Sequence, residues 1–262
     1  INNATLLIKQ GKVIATGKNV TIPSNTVVVD LEGKYIYPSF IDSYTNFGVK
    51  NPERSSGGGR SPQYGASRDG FYWNDHIMPE KNAIDHFTYD SKTAKAMRKE
   101  GFGLVNTHSM DGIARGTGLL VALNDQGNQA MRIIDDALAQ HYSFSKSVTS
   151  RQSYPGSLMG AMALLRQVYH DAHWYEKGNI PTKDRSLEAL LKNKNKVSIF
   201  EAGNKSNNLR AAKIGNQFGI NYLIVGGGDE YEMIQQTKAT NASYIIPLNF
   251  PDPYDVSNPY MA

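Results

Sequence analysis

The residues best equipped for chemistry fall in a few short stretches. His108 and Asp111, in THSMDGIARG, stand three positions apart. An imidazole beside a carboxylate is common equipment for general acid–base work. Glu201 ends the apolar run VSIFE, where a carboxylate must be solvated or paired, and Arg115 or a nearby Lys is the expected partner. Asp42 ends a second apolar run, YIYPSFID. With Asp42, the set His108, Asp111 and Glu201 can make a His/carboxylate site. For His108 alone, a hydrogen-bonded histidine beside a strand end is the plainer reading.

Other candidates carry less. His170 and His173, in HDAHW, sit at i and i+3 and supply two metal ligands without an evident third, so a solvated helical face is the better reading. SSGGGR at 55–60 does not join a strand to a helix and reads as a flexible loop. GGGD at 226–229 does join them, but Asp229 and Glu230 in the first turn would repel a phosphate, so it reads as a tight turn. No Gly-x-Ser-x-Gly elbow is present. The chain has no Cys, which excludes a thiol nucleophile, a zinc ribbon and a disulfide framework.

These residues need elements to hold them. Thr5–Lys9 and Lys12–Ala15 read as a hairpin about Gln10-Gly11, and Thr26–Asp30 and Lys34–Tyr37 as two further short strands. Such a unit cannot bury two faces alone and must pack on something else. A long stretch without period follows, NPERSSGGGRSPQYGASRDGFYWN. Its aromatics Tyr64, Phe71, Tyr72 and Trp73, like Trp174 and Tyr175, can line a peptide or sugar pocket, but docking on the core is the favoured role.

Strands and helices then alternate: helix 92–99 stopped by Gly101, strands 104–107 and 118–123, a helix over 155–175, a helix over 186–191, strand 197–201, helix 208–218 closed by Gly219, strand 221–225, helix 229–236 and strand 243–248. On the helix from Pro155, the residues Leu158, Met162, Leu165, Tyr169 and Ala172 make one apolar face. This succession means parallel strands with crossover helices, a (β/α) barrel first and an open doubly wound sheet second. In both, ligands meet the C-terminal strand ends, near 42–46, 107–111, 201–204 and 226–230.

Composition excludes little more. The 262 residues are 40% hydrophobic and 20% charged, an ordinary globular balance. Net charge is +4, but Lys and Arg are scattered apart from Lys192, Lys194 and Lys196, so no nucleic-acid partner is expected. No run of 18 apolar residues occurs, so no membrane span is expected. The compartment stays open; the absence of Cys and of an initiator Met leans towards the periplasm.

The stretch DLEGKYIYPSFIDSYTNFG, from Asp30 to Gly48, resembles the entry to the amidohydrolase superfamily. IFEAGNKSNNLRAAKIGNQFGINYLIVGGGDEYE, residues 199–232, is similar to the fifth and sixth barrel strands of its imidazolonepropionase-like branch. RDGFYWNDHIMPE, HSMDGIARGTG and YPGSLMGAMALLRQ resemble segments of large bacterial amidohydrolase-like proteins. The resemblance implies an α/β fold, an incomplete TIM-type (β/α) barrel with a small N-terminal antiparallel β unit. It places a β-sandwich portion at 1–34 and the partial barrel at 35–262, with a long loop at 49–88. It also implies metal-dependent hydrolysis of non-peptide C–N bonds, with one or two divalent metals, typically zinc.

At the aligned ligand positions stand Tyr44, Asn46, Glu201 and Gly227 in place of histidines; the resemblance does not place the strand-4 Lys, and the strand-8 Asp has no counterpart. Without a metal no hydroxide forms at neutral pH. The expectation is therefore a degenerate, non-catalytic domain with no cofactor, supporting a catalytic partner domain. Two alternatives stay open: a hydrolase of cyclic amides or small peptides using His108, Asp111 and Glu201, or a peptide- or glycan-binding module.

Length bears on the partner. About 34 residues go to the β unit and over 40 to the region 46–88, leaving fewer than 190 for a barrel that takes about 250. A fragment is expected, completed by the rest of a longer polypeptide or by another copy.

Overall fold

The computed structural model describes residues 3–56, 62–64, 68–178 and 182–248. Most of SSGGGR at 55–60, and all of PDPYDVSNPYMA at 251–262, lie outside the described residues. The chain divides into two compact units, Ile1–Pro38 and Ser39–Ala262.

In the first unit, β1 (Thr5–Lys9) and β2 (Lys12–Gly17) pair antiparallel. Gln10 and Gly11 turn between them with φ of 51° and 73°, as a tight hairpin of matching twist requires. The strands expected at 26–30 and 34–37 are not formed. Their β-branched and aromatic residues suit a pleated ladder, but the unit offers no neighbouring strand to pair with. None of its described residues is buried, and Val27 and Tyr35 are more than four-fifths exposed.

The second unit begins with β3 (Phe40–Thr45), α1 (Ser91–Lys99) and β4 (Phe102–Thr107). Then come β5 (Ala114–Thr117), β6 (Leu119–Ala122), α2 (Gln129–Arg132), β7 (Ile133–Asp135) and β8 (Ala139–Ser143). The rest alternates: α3 (Leu158–Glu176), α4 (Arg185–Lys192), β9 (Val197–Glu201), α5 (Lys205–Phe218), β10 (Tyr222–Val225), α6 (Ile234–Ala239) and β11 (Ser243–Ile245).

The strands make two sheets, ordered β3-β4-β6-β7 and β11-β10-β9-β8-β5. Neighbours from β8 to β11 are parallel, as are β3 and β4. The expected parallel pattern fails elsewhere: β4-β6, β6-β7 and β5-β8 are antiparallel. Between β4 and β6 no helix intervenes, and between β6 and β7 only the four-residue α2, so neither pair has the long crossover that a parallel pairing needs. No closed barrel forms among the described residues.

A single residue, Gly118, separates β5 from β6, so one bent stretch serves both sheets. Its N–H donates to the Ala139 carbonyl and its own carbonyl accepts from Leu138, both at 2.9 Å.

Local chemistry explains the helices. The Ser157 hydroxyl accepts from Gly160 N–H and caps α3, so Pro155 lies before the cap and not in the first turn. The predicted face is the buried one: Met162, Leu165, Tyr169 and Ala172 all lie in the larger core cluster. Burial of Met162 and of Leu165 stabilises the fold by about 1.5–3 kcal/mol each. Asp90 caps α1, and Asn204 caps α5, which ends on Gly219 in the left-handed region. The helix expected over 229–236 is split into a 3₁₀ turn, Glu230–Met233, followed by α6. Described parts of the 49–88 stretch are docked: Tyr72 and Ile77 join the larger cluster, and Val49, Ala83 and Phe87 the smaller.

Candidate functional site

Where the two sheets meet, five strands or strand ends bring polar side chains together: Tyr44 on β3, His108 after β4, Arg115 on β5, His141 on β8 and Glu201 ending β9. Arg115 is the centre. Its guanidinium is 3% exposed and uses all three nitrogens. Nε donates to the Gly112 carbonyl at 3.1 Å, Nη1 to the Tyr44 hydroxyl at 2.9 Å, and Nη2 to the Glu201 carboxylate at 2.7 Å. A buried guanidinium is retained only with such partners. Burial pushes the Tyr44 phenol well up, and although Arg115 opposes that shift the hydroxyl stays protonated at neutral pH.

Beside this cluster, the His108 and His141 rings stack with centroids 3.7 Å apart and planes 8° from parallel. Tyr44 lies tilted against His108 at 4.6 Å. Both imidazoles are fully buried, and no ring nitrogen of either has a hydrogen-bond partner among the described residues. Burial, with the Arg115 charge, holds His108 well below the usual histidine range and brings His141 to about 3. Both are therefore neutral. Gly118 permits the approach: a Cβ there would sit 2.7 Å from His141 Nε2.

Asp111 makes its hydrogen bonds elsewhere. Its carboxylate accepts from the Ser147 hydroxyl at 2.5 Å and from Val148 N–H at 2.8 Å, and so ties down the 147–149 turn. His76 braces the same turn: its Nδ1 accepts from Ser147 N–H at 3.1 Å, and its Nε2 faces the Gln152 carbonyl at 3.2 Å. The expected His108–Asp111–Glu201 set is not joined by hydrogen bonds: Asp111 holds the 147–149 turn and Glu201 accepts from Arg115. For His108, the plainer reading also needs correcting, since its ring has no hydrogen bond.

The remaining sequence candidates are placed as follows. Asp42 is half-buried and accepts from Tyr44 N–H at 3.2 Å, and burial raises its carboxyl. Asn46 is half-buried just past β3. Gly227 lies in a nest already filled by a carboxylate: Glu230 accepts from Gly227 N–H at 2.6 Å, Gly228 N–H at 3.1 Å and the Asn208 amide at 2.7 Å. Asp229 accepts from Lys205 N–H at the start of α5. These carboxylates take the donors a phosphate would use. His170 and His173 lie on the exposed face of α3.

The positions that resemble a metal site do not fit a divalent metal. A neutral phenol, an amide and a glycine are poor ligands, and the one carboxylate is engaged by a fixed cation. Among the described residues, no three His, Asp or Glu side chains are grouped to hold a metal ion. Sequence reasoning missed His141, His76 and the central place of Arg115. The stretch AQHYS places polar residues on both faces of a strand, a pattern that hides β8 from any alternation rule.

No protein-family model matches the chain, and no curated protein matches it. Among solved structures, it is similar to the crystal structure of an amidohydrolase from Thermotoga maritima, with a TM-score of 0.71 and 19% identity. The match covers 93% of this chain and 65% of that one, so the chain spans less than two thirds of the length of the protein it matches. At this identity the likeness is one of architecture, and the chain has an amidohydrolase-like mixed α/β fold.

Proposed function

We propose that this chain is an amidohydrolase-fold domain that does not hydrolyse and that supports a catalytic partner domain. The observation that carries this reading is the buried Arg115 guanidinium, held between Tyr44 and Glu201. Two of the four positions at which the superfamily resemblance expects metal ligands are bound to that cation. A third, Gly227, has no side chain, and its nest is filled by Glu230. Nothing at this place generates a hydroxide nucleophile.

On this reading the two sheets are the wall of an incomplete (β/α) barrel of the imidazolonepropionase-like kind. The partner is the rest of a longer polypeptide, or another copy. The first unit supports the need for one: it buries no described residue, and segments 26–30 and 34–37, which form no strand, expose Val27, Val28, Val29, Tyr35 and Tyr37. The altered-site hydrolase has less support, because Asp111 is spent on Ser147 and Val148.

The test is turnover. The purified chain, supplied in turn with zinc, manganese and iron, is assayed on a panel of cyclic amides and dipeptides. No hydrolysis above the metal-only blank is expected. Turnover that disappears in Glu201→Ala would overturn the proposal.

A further inference from the structure

One buried histidine, His76, takes no part in the Arg115 cluster. Its Nδ1 accepts from Ser147 N–H at 3.1 Å, and its Nε2 donates to the Gln152 carbonyl at 3.2 Å. A ring wedged between a donor and an acceptor is the neutral Nε2–H tautomer, and a second proton would set N–H against N–H at Ser147. Both partners lie on the segment that leaves β8, and that segment is fastened to the 49–88 stretch. Ser55 N–H donates to the Val148 carbonyl and Ser153 N–H to the Pro62 carbonyl, both at 2.9 Å. The Gln152 amide accepts from Asp75 N–H at 2.7 Å and donates to the Trp73 carbonyl at 3.0 Å. The charged groups facing the ring are Lys146 from the same segment, Asp75 next to it in sequence and Asp111 from the β4–β5 connection. Burial disfavours the imidazolium most and Lys146 adds to that, while the Gln152 carbonyl, Asp75 and Asp111 offset only part.

We propose that His76 is a pH-dependent latch: neutral, it holds the 147–153 segment against the 49–88 stretch, and its protonation releases that segment while α3 stays folded. Once the segment opens, His76 is hydrated and takes up a proton near pH 6.5, as free histidine does. Opening is therefore proton-coupled below that pH, and grows about tenfold per unit until the latched ring itself protonates. Because β8 and β9 end side by side, with Ser143 in register with Glu201, the release acts at the strand ends beside Glu201. The latch goes beyond the proposed function and stands whether or not the chain hydrolyses anything.

The experiment is amide deuterium exchange of the full 262-residue chain at pH 7.5 and 5.5, corrected for the intrinsic pH dependence of exchange. In wild type, protection over 147–153 is expected to fall about tenfold between the two, with α3 better protected than that segment at both. In His76→Asn the side-chain oxygen takes the place of Nδ1 and accepts from Ser147 N–H without titrating, so no such fall is expected. Flat protection in wild type, an equal fall in His76→Asn, or exchange of 147–153 no faster than that of α3 at pH 5.5 would each overturn the latch. The last outcome would mean that the segment opens only with the whole fold. If His76→Asn does not fold, nitrogen-15 NMR of the wild-type imidazoles decides instead. His76 must be the Nε2–H tautomer at pH 7.5 and become imidazolium as 147–153 loses protection. A ring that titrates with that protection intact overturns the latch equally.

Discussion

His108, just past β4 of one sheet, and His141, in the middle of β8 of the other, lie ring on ring at 3.7 Å, both buried and both neutral. That relationship makes the fold acid-sensitive. In the unfolded chain each imidazole takes up a proton near pH 6.5, as free histidine does. In the folded chain protonation waits for a lower pH, near 3 for His141. The unfolded state thus binds more protons below about 6.5, and stability falls with pH by about 1.4 kcal/mol per unit per histidine. His76 is lowered by burial as well and adds to the effect. Urea unfolding at pH 7.5, 6.5 and 5.5 measures this. Flat stability over that range would contradict the arrangement, and His141→Phe should reduce the slope.

The Glu201 carboxylate compensates a buried charge. Replacing it by Gln leaves Arg115 without its anion, and the expected loss is about 1–3 kcal/mol, held below the fully buried case by the exposure of Glu201. Tyr44→Phe removes one neutral acceptor and should cost about 0.5–1.5 kcal/mol. Thermal melts of both variants check the order. A Glu201→Gln chain as stable as wild type would show that Arg115 draws little from the pair.

Asp111 tests the distinction between a clamp and a catalytic group. Asp111→Ala leaves the Ser147 hydroxyl and Val148 N–H without their acceptor and should destabilise by about 1–3 kcal/mol. Limited proteolysis should then cut between 145 and 152, where the wild type is protected. Unchanged stability and protection would remove the clamp from the account.

Gly116 sits on β5 next to Arg115, and a Cβ there would fall 1.3 Å from the Lys81 carbonyl oxygen. Backbone cannot yield as a flexible side chain does. Gly116→Ala should therefore displace the 49–88 loop from β5 and cost more than about 4 kcal/mol, read as loss of soluble folded protein on gel filtration. A normally folded Gly116→Ala would show that the loop is not seated there.

How much of this was legible in sequence follows from how each element is specified. The α3 face could be read because Met162, Leu165, Tyr169 and Ala172 recur at helical spacing. The β9–α5–β10 succession could be read because its caps and apolar runs are local. The hairpin about Gln10-Gly11 was equally local. Strands 26–30 and 34–37 have strand composition, yet a ladder is a property of two segments, and no local pattern says whether the second is present. The short β5 and β8 carry buried polar residues that mimic loop. In the candidate site, Glu201 and its Arg115 partner were foreseeable, because a carboxylate ending an apolar strand must be paired. The His108–His141 stack was not, since it depends on a bend at Gly118 that brings two sheets together.

The most direct test of the central claim is metal content. Elemental analysis of the chain, purified without chelator and after exposure to excess zinc followed by desalting, should find far less than one equivalent of zinc, manganese or iron. One retained equivalent in the wild type, lost in Glu201→Ala, would contradict the account of this site as a metal-free one held by Arg115.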